Sequence, residues 1–435
     1  MRIAYIAAGA GGMVCGSCIH DNALAAAMQK EGHEVALLPT YTPLKTDEEN
    51  VSDPHLFYGA INVYLQHKSG LFRHTPRLVD WLLDRKSLLG WVSRLGASTD
   101  PSSLGDLTLD VLRGEAGHQA KELDRLVDWL AEDYRPDIIQ ITNSMLLGLV
   151  RQLKERLEVP VVVSVQGEDL FIDQLPESDR LLVLAELRAR ADDADLFIAP
   201  SRAYAAFMGD RLGQDLDRMR VVPMGIQLDG HGGHSDREQD GTTTIGYLAR
   251  QCPEKGLHRL VDAFTALAVR PGGESLRLKV AGYLGPRDRP YVEQQQARLR
   301  FAGLSDRADF AGQIDRDEKI RFLNSLDLLC VPTTYQEPKG LFALEAMANG
   351  VPVALPHHGS FPEILAETGG GVWFDPDSTE DMVSALARLI DNPEERRVLG
   401  AQGKASVHSI RDATTMARST LELYDELLTR EESAR

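Results

Sequence analysis

The sequence predicts two α/β domains of the doubly wound kind, each a parallel sheet with helices on both faces. At 435 residues the chain exceeds what one hydrophobic core usually serves, so two domains of roughly 200 residues are expected. Short apolar runs alternate with helical periodicity through both halves, which implies parallel strands joined by crossover helices. A junction near Val222-Pro223-Met224-Gly225-Ile226, followed by a polar stretch, separates the halves. The expected domains are 1–222, with a helical insertion near 42–130, and 223–410. A last helix over 411–435 is expected to pack back on the first.

In order, Arg2 to Ala7 is apolar and strand-like, Gly9 to Gly16 reads as a loop, and Asp21 to Lys30 is Ala-rich and helical until Gly32. Strands follow at Glu34 to Leu38, Asp137 to Ile141, Val159 to Val165, Asp195 to Ala199 and Arg220 to Val222. Between Thr42 and Leu130 the alternation weakens. The clearest element there spans residues 75–96, opening on Thr75-Pro76 and keeping Leu78, Trp81, Leu82, Leu88, Leu89, Trp91 and Leu95 near helical spacing. Its basic residues, with Arg73 just ahead, suit either packing on the first domain or peripheral membrane contact through 73–96. The second half has strands at Thr243 to Leu248, Leu276 to Ala281, Ala308 to Ala311, Leu326 to Val331 and Val351 to Leu355. Helices are expected at Leu257 to Ala266, Tyr291 to Phe301, Asp317 to Ser325, Phe342 to Ala348 and Asp412 to Leu428.

Composition narrows the function. Acidic residues outnumber basic ones 65 to 47, a formal charge of −18, which argues against a nucleic-acid binder. No run approaches the roughly 18 apolar residues of a membrane span, and the apolar start is better read as a first strand than as a signal peptide, so a cytoplasmic protein is expected. The four cysteines form no disulfide framework. Cys15-Gly16-Ser17-Cys18 is a C-x-x-C without the second pair that structural zinc needs. It is either a redox pair, if it begins a helix, or a pair of small side chains near a phosphate loop. His231-Gly-Gly-His234 lacks further ligands and reads as a solvated loop, so no metal site is expected.

The most informative segment runs Glu337-Pro338-Lys339-Gly340-Leu341-Phe342-Ala343-Leu344-Glu345, then Ala346-Met347-Ala348-Asn349-Gly350-Val351-Pro352-Val353. A helix starting at Gly340 aims free N–H groups at phosphate or sugar oxygens. Glu345 lies just over one turn inside that helix while Glu337 precedes it, so the two are not an adjacent acid/base pair. Each carboxylate can instead accept from a pair of neighbouring hydroxyls, as on a ribose or a hexose. Arg250 and Lys255, in Gly246-Tyr-Leu-Ala-Arg250-Gln-Cys-Pro-Glu-Lys255-Gly256, sit on a strand-to-helix loop where cations can neutralise a departing diphosphate without a metal. Gly9-Ala10-Gly11-Gly12 lacks the full spacing and the acid of a dinucleotide site.

These motifs resemble glycosyltransferase family 4, whose signature is two glutamates with seven residues between them, followed by a small-residue helix and a Gly-x-Pro-Val turn. The resemblance implies a GT-B fold, two Rossmann-like domains facing a central cleft, with a nucleotide-sugar donor held mainly by the second domain. It passes sugar contact to Glu337, sugar and phosphate contact to Gly340 and Leu341, and ribose binding to Glu345. The loop arginine and the Lys-Gly five residues on also fit, although Ala249 stands where the family usually has glycine and Lys339 where it has an aromatic. By the same resemblance Gly11 and Gly12 approach the donor phosphates and the acceptor, Gln313 and Ile314 lie near the base, and Phe361-Pro362-Glu363 lies near the cleft. Gln166 replaces a histidine common in the family; its amide can hydrogen-bond a sugar hydroxyl, and Glu168 and Asp169 either contact donor sugar or acceptor or cap the next helix.

The expected activity is retaining, metal-independent transfer of a sugar to an acceptor hydroxyl on a glycan, lipid-linked or small molecule. A UDP-sugar is the first donor expected and GDP-mannose the second. The nucleotide sugar is a substrate, and no cofactor is expected. The alternatives are a GT-B-fold sugar-nucleotide epimerase or phosphorylase, and a carbohydrate- or nucleotide-binding protein without turnover.

Overall fold

A computed structural model of the chain describes residues 1–9, 15–54, 104–233 and 241–434. The helix expected at 75–96, Gly11, Gly12 and His234 lie outside them.

The chain folds into two compact units, one of residues 1–223 and 414–435, the other of residues 224–413. In the first, six strands form one parallel sheet: β1 (Arg2–Ala8), β2 (Glu34–Thr40), β3 (Ile138–Ile141), β4 (Val161–Ser164), β5 (Leu196–Ala199) and β6 (Met219–Val221). Their order is β2-β1-β3-β4-β5-β6. The central strands are buried along their whole length, Ile-Ile-Gln-Ile in β3 and Val-Val-Val-Ser in β4, as a parallel sheet covered on both faces requires. The last helix, Ala413–Ala434, belongs to this first unit, where Tyr424 donates to Gln140 on β3 and Arg418 pairs with Glu31 at 3.1 Å.

The second unit holds β7 (Thr243–Leu248), β8 (Leu276–Ala281), β9 (Ala308–Gly312), β10 (Leu328–Cys330), β11 (Val353–Pro356) and β12 (Gly371–Phe374). They form a parallel sheet in the order β12-β11-β10-β7-β8-β9. The order reverses between β7 and β10, the dinucleotide-fold arrangement, and in such sheets ligands bind outside the carboxyl ends of the strands at the reversal.

Four elements differ from expectation. The first helix starts at Gly16 rather than Asp21, because the Cys15 side chain accepts from Cys18 N and caps it. β12 escapes sequence reading because it is a four-residue edge strand, Gly-Val-Trp-Phe, with only Phe374 buried. The helices Thr379–Asp391 and Pro393–Ile410 lie where no element was expected; Ser378 caps the first of them by accepting from Asp381 N. Among the described residues no helix is long and apolar enough to cross a membrane.

Candidate functional site

The loops leaving β7 and β10 lie side by side at the reversal of the second sheet. After β7 the chain turns through Pro253–Lys255 into the helix Leu257–Ala268, with Gly256 left-handed at φ +73°. A Cβ on Gly256 would stand 1.8 Å from the carbonyl oxygen of Pro332, just beyond β10. Only glycine permits that approach. Thr334 N then donates to Glu254 O at 2.9 Å, locking the two loops together. Lys255 is thereby carried to the residues that follow β10.

There its ammonium meets Glu337 Oε2 at 2.6 Å and Tyr335 Oη at 2.5 Å, while Tyr335 Oη donates to the same carboxylate oxygen at 2.6 Å. The ammonium also lies 4.9 Å from the Tyr335 ring centre and 5.5 Å from that of Phe342, within cation–π range. Glu337 is buried, and burial alone would push its carboxyl up. The Lys255 charge and hydrogen bond, with the donors of Tyr335 and Gly340, outweigh burial and hold it at about 2. Its second oxygen accepts only long bonds, from Lys339 N at 3.4 Å and Gly340 N at 3.3 Å.

Gly340, at φ +64°, is the N-cap of the helix Leu341–Ala348, and a Cβ there would meet Ile364 Cδ1 at 2.6 Å. Ala343 N bonds back to Gly340 O, which leaves the N–H groups of Leu341 and Phe342 as first-turn donors with no acceptor inside the helix. Four residues on from Leu341, Glu345 is buried and pairs with Lys319 of the helix Arg316–Asn324 at 2.5 Å. Gln313, exposed, and Ile314, half-buried, lie on the loop between β9 and that helix. Phe361 is buried with its ring 5.8 Å from that of Phe342, and Glu363 is half-buried on the same helix, Phe361–Thr368.

Glu337, Lys255, Gly340 and Leu341 are thus brought together. Arg250 is on the same loop as Lys255 but turns to Cys252 Sγ at 3.1 Å and to Glu254 at 3.9 Å, and it is not among the partners of Glu337. Sequence reasoning missed Tyr335 and Lys319. Lys319 had a signal: the capping box of Asp315 and Glu318 fixes the phase of its helix, which turns Lys319 inward with Leu323.

In the first unit, Gln166, Glu168 and Asp169 are all buried. The Gln166 amide donates to Asp21 Oδ1 at 2.8 Å and to Thr142 O at 2.9 Å. Asp21, fully buried, also accepts from Tyr5 Oη at 2.6 Å and Thr142 Oγ1 at 2.5 Å and lies 3.0 Å from His20 Nδ1. Burial would raise its carboxyl, but His20 and the two hydroxyl donors hold it below the usual carboxylate range. Glu168 accepts from Ser144 N at 3.0 Å, Ser144 Oγ at 2.7 Å and Gln166 N at 2.6 Å, so it ties the loops after β3 and β4 together rather than capping the next helix with its side chain. Asp169 accepts from Tyr204 Oη at 2.6 Å. Burial lifts its carboxyl to about 6 against that hydrogen bond.

Residues 235–406 match the family described as glycosyl transferases group 1, and residues 21–225 match the glycosyl transferase 4-like domain. The D-inositol 3-phosphate glycosyltransferase of Nocardia farcinica is 26% identical over 368 residues, covering 80% of this chain and 76% of its own length. The chain spans only 50% and 59% of the length of two further curated relatives it matches. Among solved structures, the sucrose-phosphate synthase of Thermosynechococcus elongatus superposes with a TM-score of 0.72 at 19% identity, covering 99% of this chain and 100% of that one. Anabaena HepE in complex with UDP-glucose gives a TM-score of 0.67 at 17% identity, covering 98% and 100%.

Proposed function

This chain belongs to the glycosyl transferases group 1 family, its first half being of the 4-like kind, and on that premise we propose that it moves a sugar from a nucleotide-sugar donor to an acceptor hydroxyl with retention at the anomeric carbon. The observation that supports this best is the Lys255–Glu337–Tyr335 cluster beside the free N-terminus of Leu341–Ala348, at the strand-order reversal of the second sheet.

Each part has a role in donor binding. The N–H groups of Leu341 and Phe342 and the positive end of their helix suit a phosphate oxygen. Glu337 accepts from neighbouring hydroxyls of the transferred sugar, and its ionised state at neutral pH keeps it an acceptor. Glu345 accepts from the ribose hydroxyls, with Lys319 holding its carboxylate in place. Gln313 and Ile314 border the base. As the sugar–phosphate bond breaks, negative charge grows on the diphosphate, and Arg250 and Lys255 stabilise it in place of a metal. Lys255 faces Glu337 before donor arrives, so donor binding sets the diphosphate in competition with that carboxylate for the ammonium. The acceptor hydroxyl attacks on the face from which the diphosphate leaves, and the departing phosphate takes its proton. On the same reading Gly11 and Gly12 contact the acceptor, and the buried Gln166, Glu168 and Asp169 fix the loops after β3 and β4 within the first unit.

A UDP-sugar is the donor favoured, consistent with the UDP-glucose complex of the HepE likeness. Thermal shift against a panel of UDP-, GDP- and ADP-sugars tests it, because a ligand that binds only the folded state raises the midpoint. With the donor known, anomeric NMR of the product should show the donor's configuration, and EDTA should leave the rate unchanged. Inversion, or loss of activity in EDTA, would overturn the mechanism. Rapid conversion of donor alone would instead favour an epimerase.

A further inference from the structure

We propose that Cys15 and Cys18 form a reversible dithiol–disulfide couple, in which Cys15 attacks a low-molecular-weight disulfide such as oxidised glutathione and Cys18 resolves the mixed disulfide. The two sulfurs lie 3.1 Å apart, about an ångström beyond bonding distance, with backbone and side chains already placed. Cys15 is the N-cap of the helix Gly16–Lys30, in extended conformation at φ −130° and ψ 155°, and its sulfur accepts from Cys18 N at 3.3 Å. A sulfur there takes a backbone hydrogen bond and the positive end of a fifteen-residue helix, both of which favour a thiolate.

Exposure separates the two roles. Cys15 is half-buried and can meet a small disulfide, whereas Cys18 is completely buried behind it. The hydrogen bond to Cys15 and burial together push the Cys18 thiol well up, which keeps Cys18 protonated until the second step. The chemistry balances in two steps. The Cys15 thiolate displaces one thiolate from the small disulfide and becomes a mixed disulfide. Cys18 then attacks the Cys15 sulfur, its proton leaving with the second small thiol. Two electrons pass from the protein to the small disulfide, which ends as two thiols. The other cysteines provide internal references: Cys252 and Cys330 are both buried, in the second unit.

The test reads thiol chemistry and is independent of sugar transfer. The full chain is equilibrated in glutathione buffers from reduced to oxidised, quenched in acid, denatured, alkylated and analysed by peptide mass spectrometry. Two of the four thiols should be lost together at the oxidised end. Both should fall in the peptide holding Cys15 and Cys18, lighter by about 2 Da, and dithiothreitol should restore them. Cys18→Ser should accumulate a glutathione adduct on Cys15 that wild type does not retain. Cys15→Ser keeps a good N-cap, so its helix should survive by circular dichroism, yet its adduct on Cys18 should form at least about tenfold more slowly. Four alkylatable thiols at the most oxidised poise, a persistent adduct in wild type, or equal rates in the two variants would overturn the proposal.

Discussion

Lys255 and Glu337 meet at 2.6 Å with both side chains largely buried, so removing one strands the other. Lys255→Met is expected to lower stability to urea by roughly 3 kcal/mol, the usual cost of leaving a buried charge unpaired. The pH dependence carries the same signature. Glu337 is held at about 2 against an ordinary 4.5, so its stabilising contribution is complete above about 4.5 and is lost as pH falls toward 2. Without Lys255 burial acts with less opposition, and the acid-unfolding midpoint should move up by about one pH unit or more; an unmoved midpoint would mean that the ion pair does not set the Glu337 charge. Asp169 works in the opposite sense. Its carboxyl, raised from 3.8 to about 6, favours the folded state below 3.8 and loses that advantage as pH rises to 6. Asp169→Asn keeps an oxygen for Tyr204 and should therefore stabilise the protein at pH 8 by on the order of 1–3 kcal/mol, with little gain near pH 4; chemical denaturation at the two pH values decides it. At this scale the sequence showed Glu337, Gly340 and Glu345 because they share one contiguous loop-and-helix motif, and Lys255 because it sits with Arg250 in a second motif of the same resemblance. It hid Lys319 and Tyr335, whose roles come from partners 26 and 80 residues away in the chain.

Among the elements, the turn between β7 and its helix depends on Gly256. Two glycines of nearly equal φ separate backbone strain from steric contact: Gly256 at +73° faces Pro332 O, while Gly303 at +70° faces open space. Gly303→Ala should cost about 1–2 kcal/mol for the left-handed conformation alone. Gly256→Ala should cost clearly more and should weaken nucleotide binding, since the turn must withdraw Lys255 from Glu337. Equal costs by thermal denaturation would show that the contact with Pro332 is unimportant. The strands were legible because parallel strands buried on both faces are nearly unbroken apolar runs, as in Val161–Ser164. β12 was not, because an edge strand of four residues beginning with glycine has no such run. The start of the first helix was obscured for a different reason: its cap is a cysteine, outside the usual Ser, Thr, Asp and Asn.

Over the whole molecule, the chain builds the first unit to residue 223, completes the second, and returns at residue 414 to finish the first with a helix. Met416, Ala417, Leu421, Tyr424 and Leu427 of that helix are buried. A chain ended at residue 412 should consequently lose stability in the first unit while the second retains its transition, giving two separated transitions in calorimetry where helix loss is selective. A single unchanged transition would show that the helix contributes nothing. That two α/β halves exist was readable from alternation alone, but strand order was not, because the direction in which each crossover carries the chain leaves no local pattern. The order matters most for function, since it is the reversal between β7 and β10 that sets the Lys255 and Glu337 loops side by side. The central claim, that the segment from Glu337 to Glu345 holds a nucleotide, is tested most directly by calorimetry with the nucleoside diphosphate that most raises the melting midpoint. Glu345→Gln and Glu345→Ala, each checked for folding, should bind it at least about tenfold more weakly than wild type, a loss of about 1.4 kcal/mol or more. An unchanged Kd in both folded variants would contradict the account.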